Sequence, residues 1–161
     1  MLTNLQDIKF LQRAVELSQY GMSHGFGGPF GCVVVKNGEI VGEGYNKVTS
    51  TNDPTAHAEV VAIRDACTNL STFQLTDCII YTSCEPCPMC LGAIYWARPQ
   101  RVVFANTRVD AANIEFDDEF IYKEIEQKDM HARKIPFVHV PLVEAQKVFA
   151  EWFEKNSKTK Y

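Results

Sequence analysis

Two short clusters, His57-Ala58-Glu59 and Pro86-Cys87-Pro88-Met89-Cys90, constrain this 161-residue chain more than any other feature. They hold one imidazole and two thiols of metal-ligand type, and using them together requires two distant segments to meet at one point. Zinc takes Cys thiolate and His imidazole in tetrahedral geometry, and three protein ligands leave one position open. An open metal lowers the pKa of a water molecule toward neutrality, which turns that water into a nucleophile. Glu59 is not needed to hold the metal. Two residues from the His ligand, it is placed to carry the proton that the water gives up.

The local pattern says how such a site is built. Cys87 and Cys90 stand at i and i+3, so on a helix they share one face. Residues at i and i+2 do not, so His57 and Glu59 serve one site only near a helix end. Both clusters fall at helix starts. Asp53-Pro54 reads as an N-cap with proline at the first helical position, opening a helix over residues 53–69. Pro86 opens another, through Cys90, Ile94 and Ala97 to a stop before Pro99. Two helix N-termini then turn their positive dipole ends to the metal, which favours thiolate over thiol.

Around these helices the chain alternates. Residues 5–22 carry Ile8, Leu11, Ala14 and Val15 at helical spacing. The glycine-rich turn over residues 25–28 lacks the spacing of a nucleotide loop and reads as close backbone approach near the site. Strands are expected over residues 30–35 and 39–45, joined by Lys36-Asn37-Gly38, and over residues 78–82, 101–105 and 136–140, the last an edge strand. Further helices are expected over residues 118–127 and 144–155. The order predicts one α/β domain over residues 1–161. It is a three-layer α-β-α arrangement, a mixed sheet of about five strands with helices on both faces.

Sixteen basic residues against twenty acidic ones, a formal net charge of −4, leave no electrostatic footprint for nucleic acid. Asp7, Lys9, Arg13 and Glu16 interrupt the N-terminal segment, which is therefore read as neither signal peptide nor membrane anchor. No apolar run approaches membrane length. The six cysteines are expected to be reduced thiols of a cytoplasmic protein, with Cys32, Cys67 and Cys78 as small core residues. Cys84 and Cys87 also have ligand-pair spacing, and a fourth ligand at Cys84 would close the site into a structural centre. Its place in a turn before the helix, and the absence of any role for Glu59 in such a centre, favour the open site. His24, His131 and His139 stand at no ligand spacing and read as surface residues.

A nucleophilic water beside a carboxylate calls for an electrophilic carbon that bears an amine, such as an amidine-like ring carbon. The net reaction is hydrolytic deamination. His-x-Glu followed by Pro-Cys-x-x-Cys is the signature of zinc nucleobase deaminases. The chain resembles the cytidine and nucleobase deaminase superfamily over roughly residues 25–106. Within it, the chain is similar to bacterial guanine deaminases along nearly its whole length. The likeness is carried by Gly27-Gly28-Pro29-Phe30-Gly31, by Asn52-Asp53-Pro54-Thr55-Ala56-His57-Ala58-Glu59, by the stretch over residues 82–98, and by Phe116-Asp117-Asp118-Glu119-Phe120.

The resemblance implies a cytidine deaminase-like fold and the conversion of guanine to xanthine with release of ammonia. It implies one zinc ion per subunit on His57, Cys87 and Cys90, with Glu59 as proton shuttle and Cys84 outside the ligand set. Asn46 and the Ala58 N–H would hydrogen-bond the purine base, Phe30 would stack on it, and Asp118 would bind the amine side and assist the second proton transfer, with Asp117 as the alternative. A homodimer is implied whose C-terminal segment, about residues 143–161, is exchanged between subunits, bringing Trp96 and Tyr161 near a neighbouring pocket. From the residues alone, Phe30 and Trp96 read equally as packing, Asp117 and Asp118 as helix caps, and Tyr161 as a frayed end. The tRNA adenosine deaminase branch shares both zinc motifs. Phe104-Ala105-Asn106-Thr107-Arg108-Val109-Asp110 lacks that branch's usual stretch, and the acidic balance opposes a phosphate-rich partner. Guanosine and cytosine stay open as substrates, and a closed, non-catalytic zinc module is the reading from a different class.

Overall fold

The computed structural model describes residues 5–160. The chain divides into two compact units, one ending at Asp118 and one beginning at Glu119. The first contains α1 (Leu5–Ser23), β1 (Gly31–Lys36), β2 (Glu39–Tyr45), the single turn α2 (Val48–Thr51), α3 (Ala58–Leu70), β3 (Cys78–Cys84), α4 (Pro88–Ala97), β4 (Arg101–Asn106) and α5 (Arg108–Ala112). β1 and β2 form the expected hairpin. Its turn residues Asn37 and Gly38 both sit at positive φ, 52° and 82°, as a two-residue Asn-Gly loop requires.

The strands run in the order β2-β1-β3-β4. β1 is antiparallel to β2 and to β3, whereas β3 and β4 are parallel. The sheet is mixed, as expected, but has four strands rather than five. Residues 136–140 are not a strand. Pro136 removes a ladder donor and Val138 and Val140 are exposed, so the β-branched composition that suggested a strand meets neither a partner strand nor a core.

Period-2 alternation on β1 sends side chains to opposite faces and so builds the layers. Cys32 and Val34 pack with Ala58, Ala62 and Ala66 of α3 and with Ile94 and Ala97 of α4. Val33 and Val35 pack on the other face with Phe10 and Leu17 of α1 and with Tyr81 of β3. Each buried valine of this kind contributes roughly 1.5–3 kcal/mol relative to exposure. α3 lies unusually close to β2 because small residues meet there. A Cβ on Gly42 would come within 2.6 Å of the Ala66 nitrogen, and one on Gly44 within 2.3 Å of the Ala58 carbonyl oxygen. That contact pins the N-terminus of α3 beside the end of the sheet. Under α1, the buried Asp7 accepts hydrogen bonds from the Tyr81 hydroxyl at 2.7 Å and from Arg101 at 2.6 and 3.2 Å, tying α1 to β3 and β4.

The second unit holds α6 (Glu119–Glu126), a 3-10 turn at Met130–Ala132 and α7 (Val143–Glu154), in agreement with the two expected helices. On α6 an i, i+4 ion pair joins Lys123 to Glu119 at 3.2 Å. Many of this unit's large apolar side chains face solvent, among them Ile135, Phe149 and Phe153. Among the described residues no helix is long and apolar enough to cross a membrane.

Candidate active site

α3 begins later than the sequence predicts. Asp53 spends its carboxylate locally: Oδ1 accepts from the Thr55 N–H at 2.8 Å and from the Thr55 hydroxyl at 2.6 Å. That is an Asx turn and not a cap. The helix starts at Ala58, and His57 takes the N-cap position in extended backbone, φ −68° and ψ 155°. α4 likewise begins at Pro88 rather than Pro86, with Cys87 as N-cap at φ −65° and ψ 168°. Neither side chain caps its own helix. His57 and Cys87 therefore hold equivalent places on two helices, and Cys90, three residues on, turns to the same side as Cys87.

The three donors converge. His57 Nδ1 lies 3.5 Å from Cys87 Sγ and 3.5 Å from Cys90 Sγ, and all three ligand atoms lie within 4.8 Å of one another. Zn–S and Zn–N bonds at tetrahedral angles place a sulfur and a nitrogen about 3.5 Å apart. Both nitrogen–sulfur separations match those of a zinc site. Cys84 stays out of it: its thiol is buried, donates to the Thr107 carbonyl at 3.6 Å, and is pushed up to about 11 by burial first of all. Cys87 is the acidic thiol, held down to about 4 by hydrogen bonding with Cys90 and then with His57. The contact with Cys87, followed by burial, pushes Cys90 up, while the bond to Cys87 raises His57. Thiolate is the form that binds metal.

Glu59 is 6% exposed. Its Oε2 accepts from Cys90 Sγ at 3.4 Å and its Oε1 accepts from the Thr82 hydroxyl at 3.4 Å. Burial raises its pKa, the direction a proton carrier working near neutral pH requires. In the sequence Thr82 has a place on a buried strand and at the start of the motif stretch over residues 82–98, but no role.

Asn46 and Phe30 meet at the same end of the sheet, just beyond the Gly31–Tyr45 pair of the hairpin. The Asn46 N–H donates to the Phe30 carbonyl at 3.0 Å. Asn46 is buried, and its Oδ1 accepts from the Val48 N–H at 3.1 Å, which leaves Nδ2 as the side chain's donor. A Cβ on Gly27 would stand 2.1 Å from that Oδ1, so the glycine-rich turn does approach closely, as the sequence suggested. Phe30 is half-buried, packed against the core on one side and against Phe116 on another. Ala58 is fully buried, and its N–H belongs to the first turn of α3, where a helix has no internal acceptor.

Asp118 is half-buried and its pKa is raised by burial and then by the Cys87 charge, whereas Asp117 is exposed. Trp96 is 64% exposed on α4, about 9 Å of helix rise beyond Cys90. Tyr161 lies outside the described residues. His24, His131 and His139 are exposed, as expected, and none joins the cluster.

A three-layer α/β unit whose two helix N-termini present His, Cys and Cys beside a buried carboxylate is the architecture of a zinc-dependent deaminase. The chain belongs to the cytidine and deoxycytidylate deaminase zinc-binding family, whose model matches residues 5–106. It is 58% identical to a guanine deaminase of Bacillus subtilis over 152 residues, 94% of this chain and 97% of that relative. A tRNA-specific adenosine deaminase of Aquifex aeolicus is 33% identical over 79% of this chain and 81% of its own length. Among solved structures, guanine deaminase from Bacillus subtilis superposes with a TM-score of 0.93 at 55% identity, covering 99% of both chains. Guanine deaminase from Nitrosomonas europaea superposes at 0.66 and 30% identity, covering 73% of this chain and 67% of that one. Zinc is the metal this family's site takes.

Proposed function

We propose that this chain is a zinc-dependent guanine deaminase that hydrolyses guanine to xanthine and ammonia. The observation that carries the reaction is the placement of the buried Glu59 against Cys90 and Thr82, beside three donors at zinc-ligand separation. What supports guanine as the base is likeness to a guanine deaminase over almost the full length of both chains. The tRNA-specific relatives are less similar, and a net charge of −4 suits a small base better than a phosphate backbone.

His57, Cys87 and Cys90 would hold one zinc ion per subunit. When bound, zinc supplies Lewis acidity and a water acidic enough to attack carbon at neutral pH. Glu59 accepts the proton that the attacking water loses and delivers it to the ring nitrogen beside the amine-bearing carbon. Asp118 binds the amine side and, with Glu59, supplies the proton that leaves with ammonia. Its half-buried place and raised pKa favour it over the exposed Asp117. Asn46 Nδ2 and the Ala58 N–H donate to acceptors on the base, and Phe30 stacks on its face. Guanine plus water gives xanthine plus ammonia, with the base neither oxidised nor reduced.

The active form is a homodimer that exchanges the C-terminal segment, about residues 143–161, and brings Trp96 and Tyr161 to a neighbouring subunit's pocket. Support comes from the apolar side chains that a single chain leaves in solvent: Val143, Phe149 and Phe153 on the segment, and Tyr95 and Trp96 on α4. Such exposure is large for a monomer and is relieved by a second copy. A single-chain mass in light scattering would refute the exchange. Free cysteines, two of them at ligand separation, support a reducing, cytoplasmic setting, in which the reaction would serve purine breakdown or salvage.

The test of the substrate is direct. The zinc-loaded protein is incubated with guanine, guanosine, cytosine and adenine separately, and ammonia is measured. Release from guanine is the expected result; release from another base alone overturns the substrate and keeps the chemistry.

A further inference from the structure

Phe30 has a second ring packed against it. Phe116 meets it with centroids 5.0 Å apart and planes at 87°, an edge-to-face pair. Two backbone features bring the rings together. At the C-terminus of α5 the Phe116 N–H donates to the Ala111 carbonyl at 3.0 Å and the Glu115 N–H to the Ala112 carbonyl at 3.1 Å. Glu115 stands at φ 71°. This is a Schellman turn with glutamate where glycine is the usual residue. The chain keeps a backbone conformation that its side chain disfavours, and the next residue is Phe116, with Asp118 two further on.

The second feature is Gly28. A Cβ there would lie 2.8 Å from the ζ carbon of Phe116 and 3.1 Å from the ε2 carbon of Phe30. Both rings occupy the space that a side chain at residue 28 would need. Phe30 is thereby restrained by the core and by Phe116, at the end of the sheet where its carbonyl accepts from the Asn46 N–H.

We propose that Phe116 is a positioning residue for the base pocket: it holds the Phe30 ring at the angle on which the substrate stacks, and Gly28 is the gap that admits it. The proposal rests on the reading of Phe30 as the stacking surface. Loss of the restraint weakens binding of the base in the ground state and the transition state alike, so it raises KM and spares kcat. Phe116 is itself 46% exposed, so its truncation does not open the core.

The experiment is steady-state kinetics of single variants of the zinc-loaded full-length protein with guanine. Phe116→Ala raises KM about tenfold with kcat within about twofold, the scale of one aromatic pair. Zinc stoichiometry is unchanged, and Phe116→Tyr, which keeps the ring, restores KM. Gly28→Ala, whose Cβ would press on both rings, raises KM at least as much as Phe116→Ala. A merely structural role lowers thermal stability and moves kcat and KM together, without rescue by tyrosine. An unmoved KM in Phe116→Ala, or a raised KM that Phe116→Tyr does not restore, overturns the positioning role alone. A wild type that does not turn over guanine overturns the reading of the site, and the stacking role with it.

Discussion

The Glu59 carboxylate stands 3.4 Å from the Cys90 sulfur, so the proposed proton carrier and a proposed metal ligand are in direct contact across two helices. Neither residue reaches the other by local geometry. α3 is drawn down onto the glycines of β2, α4 follows β3, and both helices begin at the same end of the sheet. The two helix dipoles and the two functional groups come together as one consequence of that packing.

Glu59→Gln keeps the shape of the side chain and removes its ability to take a proton. We expect kcat to fall by about a thousandfold or more, the range of general acid–base catalysis, with zinc content unchanged. Metal analysis beside steady-state kinetics checks both halves. Turnover near that of the parent chain removes Glu59 from the mechanism.

Cys84→Ser and Cys87→Ser separate an open site from a closed one. Cys84 bonds to the Thr107 carbonyl and stands outside the donor trio, so Cys84→Ser retains one zinc per chain. Cys87→Ser loses the metal and with it the activity. Zinc loss in Cys84→Ser revives the structural centre.

Asp118→Asn lowers kcat by about a hundredfold, as expected for a second acid–base group, while Asp117→Asn stays within about twofold. Asp118 is half-buried and feels the Cys87 charge, and Asp117 is exposed. Equal losses in the two variants contradict the assignment.

Tyr81 gives a pH-dependent contribution to stability. Burial, and then the hydrogen bond to Asp7, push it up to about 12. Between its ordinary value of about 10 and that value, the unfolded chain releases the phenolic proton while the native chain keeps it. The contribution is complete below about pH 10 and is lost as pH rises toward 12. Urea midpoints of the native chain and of Tyr81→Phe, compared across that window, should converge as pH rises. Parallel curves show that Tyr81 does not titrate on unfolding. At neutral pH the variant loses about 1–3 kcal/mol, the worth of a hydrogen bond to a charged group.

How much of this was legible depended on the range of each signal. Cys87 and Cys90 are three residues apart and chemically distinctive, so their shared helix face was readable before any fold was known. The start of α3 was not. Asp53-Pro54 has the chemistry of a cap and a first helical residue, but the Asp53 carboxylate is satisfied by Thr55, and the helix waits until Ala58. The position of His57 near a helix start survived because a shift of a few residues still leaves it there. Residues 136–140 had strand composition without a partner, and composition cannot report on partners. Thr82 and Phe116 stand in motif stretches but have no role legible there for a related reason: the contact that matters for each is with a residue far away in sequence, Glu59 in one case and Phe30 in the other. Period and spacing carry no trace of such contacts.

The proposed reaction adds water to guanine and expels ammonia. Turnover of guanine by the zinc-loaded protein in water enriched in heavy oxygen tests it most directly, with the product examined by mass spectrometry. The expected products are xanthine carrying one solvent oxygen and one equivalent of ammonia, both abolished in Glu59→Gln. Unchanged guanine, or xanthine formed equally well by the Glu59→Gln chain, contradicts the proposal.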